Sequence, residues 1–597
     1  FQMEAEFGLT SFIGDRKEAV DCVLKRLYSD FIVQEVNSAG EATRLLTFDE
    51  VRAETKKALN GDPQKVDESV ERPDCVQDDF ITACTAVYER TEKEARLDTK
   101  DLDKPSRTAI HVFLRSRYSD ELESVTEGNG VIVVKRRKPG KRKRWARDTP
   151  PHTHFTMAKE NKETSYAIGI VAKMSGCNPG LFKTCGLKDR RAVTSQRVSA
   201  FQVDMDKLLG LNNRLRGIVL YDFSYEREPV KTGSHWGNRF SIVLRDIAPE
   251  SEQLLKGRLE EWAEKGFINY FGTQRFGSCE TRTADVGRLI LQRKWKEAVD
   301  LVLGGSGRNG QDTVQRAVEE WRASGDAGAA VKMLFGAQSY ASVEGSLLKS
   351  LSKGKTWQEA VLYLPPNIRS IYIHAYQSLL WNKLASDRMD KHGMAVLEGD
   401  VNGDAAPLSV DAATPFDIHI PLANSACSDK QGYAYSYYES ALKADELTWD
   451  SFRTLEKNFS LGDASRLSLR PLFVQPGKLQ WKFVRTKTNN EQVQRDLTQV
   501  PPHLLEDKQE GDHLALWTSF DLPSGCYATV ALREITACDM GKHYQRALNN
   551  AGDKATEDTV EEEVGEAEVE AENGELPVEE EDVSEEPVKK EPKLAEE

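Results

Sequence analysis

Two periods of apolar residues divide this chain. Up to about residue 265, short runs rich in β-branched and aromatic residues alternate with helix-length stretches, and from 283 to 361 apolar residues recur every three or four positions. A period of two marks a half-buried strand, and a period of 3.6 marks an amphipathic helix. Strands are expected at 28–36, 131–134, 154–158, 193–203 and 239–247. Helices are expected at 106–118, at 161–174 with Ile168, Val171 and Met174 on one face, at 251–265 and within 366–392. Residues 50–104 are charged and partly helical, 395–486 mix short strands with loops, and strand and helix signals return at 513–535. Mixed α/β, then mostly helical, then α/β again is the order expected of a helical domain inserted into an α/β host.

Length and composition narrow the class. At 597 residues the chain is too long for one core, and two to four domains are expected. No stretch approaches the length of apolar sequence that a membrane helix needs. The first residues lack the basic and apolar regions of a secretory signal, and with no initiator Met the chain is readable as a fragment. Nine cysteines, an odd number without a Cys-x-x-Cys pair, favour a reducing compartment over a disulfide or zinc framework. His152 and His154 stand two apart with no Cys or acid at ligand spacing, so polar side chains at the local surface are expected there and no metal site.

Charge sharpens this picture. The chain carries a net −15, yet Asp553–Glu597 alone holds twenty acids and four lysines, a net −16, which leaves the rest at +1. The acidity belongs to a tail from 551 to 597 that is too poor in large apolar residues to fold, and disorder is expected of it. A near-neutral body with local basic clusters is compatible with RNA. The densest cluster is 135–144, Lys-Arg-Arg-Lys-Pro-Gly-Lys-Arg-Lys-Arg, which fits a nuclear localisation signal, a phosphate-contacting loop or a solvated hairpin tip.

Gly305-Ser-Gly-Arg-Asn-Gly310 matches Gly-x-Gly-x-x-Gly but follows a helical stretch, so a helix–helix loop is expected and not a dinucleotide fingerprint. No Walker-type phosphate loop, His-Glu-x-x-His or Gly-x-Ser-x-Gly occurs. Two blocks carry the candidate chemistry. Gly186-Leu-Lys-Asp-Arg-Arg-Ala-Val-Thr-Ser-Gln196 sets Asp189 among Lys188, Arg190 and Arg191. Three cations beside one acid should keep that acid ionised and leave charge over for phosphate. Read alone, the block also fits a solvated turn with surface ion pairs. Asn269-Tyr-Phe-Gly-Thr-Gln-Arg-Phe-Gly277 alternates three aromatics with amide, guanidinium and glycine. Aromatic faces stack unpaired bases and Asn or Gln reads their edges, though a buried aromatic turn has the same composition.

Together the blocks resemble the TruD family of RNA pseudouridine synthases. Asp30-Phe-Ile-Val-Gln-Glu35, Lys159-Glu-Asn-Lys-Glu-Thr164, Gly237-Asn-Arg-Phe240 and Gly525-Cys-Tyr-Ala-Thr529 are similar to further family segments in the same order. Arg369–Ser378, Asn382, the 50–104 stretch and the basic run resemble the eukaryotic branch.

The resemblance implies an α/β (α+β) pseudouridine synthase fold with a mixed, largely antiparallel sheet. It implies a catalytic domain at 1–278 plus 486–550, an insertion at 50–104 and an inserted, mostly helical domain at 279–485. It further implies cofactor-free isomerisation of uridine, with no metal and no nucleotide cofactor. Asp189 becomes the catalytic aspartate, attacking C1′ of the ribose or removing the 2′ proton. Phe271 becomes the stacking ring and Asn269 the polar contact to the aspartate or the base. Phe31, Lys25 and Glu35 become cleft residues, and Lys188, Arg190 and Arg275 become contacts to RNA. Expected partners are tRNA, with small nuclear and messenger RNA in eukaryotes, and no membrane. A monomer in the nucleus, with a cytoplasmic share, is expected. A non-catalytic RNA-binding protein on the same fold and an RNA glycosylase are the alternatives.

Overall fold

The computed structural model describes residues 2–60, 72–89, 91–118, 122–128, 130–136, 145, 149–277, 283–304, 313–334, 342–459, 461, 466–499, 511–541 and 544–549. The tail from 551, residues 137–144 of the basic run and the glycine motif at 305–310 lie outside them.

The central element is a sheet of seven long strands: β1 (Phe31–Val36), β2 (His152–Glu160), β3 (Val193–Phe201), β4 (Ile218–Glu226), β5 (Gly237–Ile247), β6 (Gly477–Thr486) and β7 (His513–Pro523). They lie in the order β6-β7-β5-β1-β3-β2-β4, and short strands at Val23–Leu24 and Phe182–Thr184 add to β5 and β3. Every pairing is antiparallel except that of β1 with β3. The sheet is therefore mixed and largely antiparallel, as expected. The expected strands reappear within a few residues, whereas β4 was not among them. Its first half, Ile218–Tyr221, is an unbroken apolar run that fits helix or strand alike, and its second half, Asp222–Glu226, is only half buried.

Register sorts the side chains to faces. Phe31 pairs with Ile242 and Val33 with Phe240, while Val33 also pairs with Thr194 and Gln196 with Met157. One face therefore presents Phe31, Val33, Phe240 and Ile242 at one end and Phe155, Met157, Val198 and Leu220 at the other. Helix Glu252–Lys265 buries Leu255, Leu259 and Trp262 on the first end, together with helix Ala528–Thr536. Helix Thr164–Met174 buries Ala167 and Val171 on the second end. Each fully buried leucine or aromatic contributes roughly 1.5–3 kcal/mol. The opposite face packs Ile32, Val193 and Val219 against Val51 of helix Phe48–Asn60.

Residues 76–134 add a smaller layer with its own core. Helices Asp78–Tyr88 and Lys104–Arg117 pack on a three-stranded antiparallel sheet through Phe80, Ile110, Phe113 and Ile132. Asp103 caps the second helix by accepting from Ser106 N at 2.8 Å. This layer runs past the 50–104 stretch to Arg136.

Residues 283–471 are mostly helical. Their centre is the 27-residue helix Pro366–His392, closed by Gly393 at φ +57°. Helix Thr283–Leu291 lies directly on it: a Cβ on Gly287 would stand 2.0 Å from the Tyr372 carbonyl oxygen, so only glycine permits this approach. Trp381, Leu384 and Ile373 of the long helix share one continuous core with Phe31, Phe240 and Phe271.

Candidate active site

The two cores on one sheet face do not meet. Between them β1, β2, β3 and β5 place Glu35, Lys159, Thr194, Gln196 and Asn238, and of these only Asn238 is more than marginally exposed. A polar seam buried at this depth is costly unless its groups are partnered. The loop 185–192 supplies partners. Gln196 Nε2 donates to the Gly186 carbonyl at 3.0 Å. Thr164 Oγ1 accepts from Lys188 N at 3.1 Å and reaches Gln196 Oε1 at 3.2 Å. Lys159 Nζ donates to the Asp189 carbonyl at 2.8 Å and the Lys188 carbonyl at 3.4 Å. Burial draws the Lys159 ammonium down to about 8, against the upward pull of the nearby Asp189 charge.

This lacing sends neighbouring side chains opposite ways. Lys188 turns inward: its Nζ donates to Asn238 Oδ1 at 2.6 Å and lies 3.4 Å from Glu35 Oε2. Burial lowers the Lys188 pKa, and Glu35 works against that. Glu35 Oε1 in turn accepts from Arg197 N at 3.1 Å. Asp189 turns toward the open side, with 31% of its side chain exposed, and its carboxylate accepts from Lys25 Nζ at 3.0 Å. That ammonium also sits 3.8 Å above the Phe31 ring. Lys25 has φ +61°, an uncommon conformation for a non-glycine residue.

The sequence set Asp189 among Lys188, Arg190 and Arg191, whose charge was expected to keep it ionised; the structure adds a cation that the motif does not contain. The hydrogen-bonded cation is Lys25, which is remote in the chain. Lys188 is committed to Glu35, and Arg191 donates to the Lys25 and Arg26 carbonyls at 3.0 and 3.3 Å. Arg190 is exposed. The physical reason is that Gly186–Ala192 runs over the sheet and buries Lys188 and Ala192 while leaving Leu187, Arg190 and Arg191 exposed.

The second block forms a different structure. Asn269, Tyr270 and Phe276 are each about 1% exposed and Phe271 is 8% exposed. Arg470, from the short strand Leu469–Pro471, holds this loop from beneath. Its guanidinium donates to Asn269 O and Oδ1, each at 2.9 Å, to Tyr270 O at 3.2 Å and to Gly525 O at 2.8 Å. It lies 4.0 Å from the centre of the Phe271 ring, and Trp381 meets that ring edge-on at 5.6 Å. Asn269 Nδ2 donates to the Pro471 carbonyl at 3.0 Å. Asn382 brackets Phe271, accepting from its N at 2.8 Å and donating to its O at 3.0 Å. Gly272 is required because a Cβ there would stand 2.8 Å from the Tyr527 ring. Arg275 is half-buried close enough to Arg470 and His374 for its charge to act on both.

The structure thus gathers Lys25, Phe31, Glu35, Lys188 and Asp189 at the seam, with Arg190 on its rim. It gathers Asn269, Phe271 and Arg275 around Arg470. Strands β5 and β7 join the two groups: Asn238, which holds Lys188, pairs with Leu522, shortly before Gly525. Sequence reading passed over Lys159 and Arg470 as working residues. Lys159 stood inside a recognised motif, so it could have been found; Arg470 stood in unpatterned sequence and could not. Among the described residues no group of three His, Cys, Asp or Glu could hold a metal ion, and no helix is long and apolar enough to cross a membrane.

Comparison with known proteins adds independent information. Residues 132–535 match the model of the family described as tRNA pseudouridine synthase D (TruD). A Caenorhabditis elegans protein named as a candidate pseudouridine synthase is 42% identical over 573 residues, covering 94% of this chain and 98% of its own. The human pseudouridylate synthase 7 homolog is 31% identical over 578 residues, covering 92% of this chain and 83% of its own. The multisubstrate pseudouridine synthase 7 of Schizosaccharomyces pombe is 28% identical over 637 residues, covering 92% of each chain. In fold, a candidate TruD structure from Methanosarcina mazei superposes with a TM-score of 0.54 at 18% identity, over 90% of this chain and 98% of that one.

Proposed function

Because the chain belongs to the TruD family and is an RNA pseudouridine synthase, we propose that it isomerises uridine with Asp189 as the catalytic carboxylate. The observation that carries this is the Asp189 side chain itself: an acid on a rigidly laced loop, partly open to solvent, held by Lys25 at the seam between two cores. A carboxylate so placed can attack C1′ or take the 2′ proton. Either route breaks the N1–C1′ bond. The uracil then rotates, bonds to C1′ through C5 and gives up its C5 proton, so substrate and product have the same atoms. Lys25 orients the acid, Phe31 is the apolar floor beneath Lys25, and the Lys188–Glu35 pair fixes the turn from which Asp189 projects. A buried pair of this kind serves geometry more than stability.

Phe271 and Asn269 form the wall that confines the base, with Arg275 toward the RNA backbone. The substrates in this reading are tRNA and further RNAs, among them small nuclear and messenger RNA. Support for more than one substrate comes from the name of the Schizosaccharomyces pombe relative, a multisubstrate pseudouridine synthase. Arg190 and the basic run at 135–144 supply phosphate contacts, whose affinity falls steeply with salt. The same run is the ground for a nuclear location, and a monomer is the working unit. Asp189→Asn should bind RNA with wild-type affinity and form no pseudouridine, read by mapping the modification across cellular RNA. A wild-type rate in that variant would remove Asp189 from the chemistry, and loss of base mass from the RNA would indicate a glycosylase.

A further inference from the structure

Leu187 is the most exposed large hydrophobic side chain among the described residues, at 71%, and it stands two positions before Asp189. Trp236 is exposed at 42%. Single exposed hydrophobics are ordinary on protein surfaces, but these two lie on segments laced together. Gly233 N donates to the Cys185 carbonyl at 2.8 Å, and Cys185 Sγ meets Ser234 Oγ at 3.4 Å. His235 Cε1 lies 3.8 Å from where a Cβ on Gly186 would be, and Lys188 bonds Asn238. Residues 185–188 thus run beside 233–238, and Leu187 and Trp236 emerge from abutting backbone at the mouth of the seam. The backbone of Trp236 is pinned from both sides, donating to Val36 O at 3.0 Å and accepting from Ser524 N at 2.8 Å. Across the Asp189 loop, Arg191 lies 5.9 Å from the centre of the Tyr28 ring.

We propose that Leu187 and Trp236 form an apolar shelf for the single-stranded RNA that flanks the target uridine. This rests on the assignment of Asp189 as the catalytic carboxylate. Leu187 fills the space that the flipped base vacates, and the Trp236 ring stacks the adjacent base. Apolar side chains inserted between base steps and aromatic platforms under unpaired bases are the two established ways of holding opened nucleic acid. RNA is the occupant because the shelf stands two residues from the reacting acid, so whatever covers it during turnover must be part of the substrate. The exposed Arg190 and Arg191 next to it suit a polyanion.

The test uses the full chain carrying Asp189→Asn, so that the probe is not consumed, and a short oligouridylate with one internal 2-aminopurine. Trp236→Ala should weaken binding by about tenfold and abolish quenching of the 2-aminopurine, and Trp236→Phe should restore most of both. Leu187→Ser should weaken binding, and Leu187→Met should restore it. With an abasic residue in place of the 2-aminopurine, Trp236→Ala should no longer differ from its parent. Urea midpoints should stay at the parent value; a midpoint that falls together with affinity makes these packing residues and overturns the proposal. Unchanged affinity and quenching in both variants overturn it as well. Pseudouridine formation by the wild-type protein is measured in parallel. If the wild type is active while its Trp236→Ala and Leu187→Ser forms bind and turn over equally well, only the shelf fails. If Asp189→Asn is itself active, the assignment beneath it fails instead.

Discussion

The loop at Asp189 and the loop at Phe271 carry equally distinctive residues, yet they are packed in opposite ways. The first is laced through its backbone and leaves Leu187, Arg190 and Arg191 exposed. The second is buried through 269–272, where Arg470 holds the Asn269 and Tyr270 carbonyls and Asn382 holds that of Phe271. One loop presents side chains to solvent; the other is a sealed turn whose shape depends on a distant strand. Aromatics among arginine and glycine therefore do not by themselves mark an open stacking surface, because the same composition suits a sealed turn.

The largest expected difference between the loops is in stability. Arg470→Met leaves four acceptors without their donor, at about 1–3 kcal/mol for each one left unsatisfied, so a loss of more than about 3 kcal/mol is expected in urea unfolding. Leu187→Ala should change stability by less than about 0.5 kcal/mol. Equal urea midpoints for the two variants would break the comparison.

Phe271→Ala tests the wall directly. Truncating a packed phenylalanine costs about 3–5 kcal/mol of stability, and this variant should also turn over more slowly. A Phe271→Leu variant that regains the stability but not the rate would show that the ring meets the base as well as the core.

Lys25→Met probes the open loop. Its ion pair with Asp189 is partly solvated, so about 1 kcal/mol or less of stability is at stake. The rate should nevertheless fall by more than about tenfold, equivalent to about 1.4 kcal/mol in the barrier, because the acid loses its orienting partner. A rate within twofold of wild type at saturating RNA would remove Lys25 from the site.

A further difference is a pH limb. Lys159 titrates near 8 in the folded protein against an ordinary 10.5. Between these values the unfolded chain binds more protons, so the contribution of Lys159 to stability rises with pH through that window. Below about 8 its buried charge opposes folding by its full amount, on the order of 3 kcal/mol. Activity should move the other way, falling above about pH 8 as the ammonium that holds the Asp189 and Lys188 carbonyls loses its proton. Lys159→Met should lack that limb; a profile identical to wild type would assign it to another group.

Much of the fold was legible. β1, β3 and β5 and helices 164–174, 252–265 and 366–392 have strong periods and clear stops, such as Gly266 at φ +67° and Gly393 at φ +57°. β4 was missed because it opens on four consecutive apolar residues, a run with no period of two. Asp189 was legible as an acid in a dense motif, but its cation was not: Lys25 is remote in sequence, and the nearer Lys188 looked like the natural partner. Arg470 left no signal at all, since a lone arginine between short strands has no period and no motif.

By itself the sequence determined most of the strands and helices and the family, because each rests on local spacing or on a run of contiguous residues. Tertiary structure alone decided which cation meets Asp189, that Glu35 and Lys188 are buried together, and that Phe271 is walled in while Leu187 stands open. Those outcomes depend on how β1, β3 and β5 are set side by side and on a strand of the helical region reaching back to grip residues 269–271. Pairings between residues so far apart in the chain leave no trace in local spacing, because only the folded backbone brings them within reach.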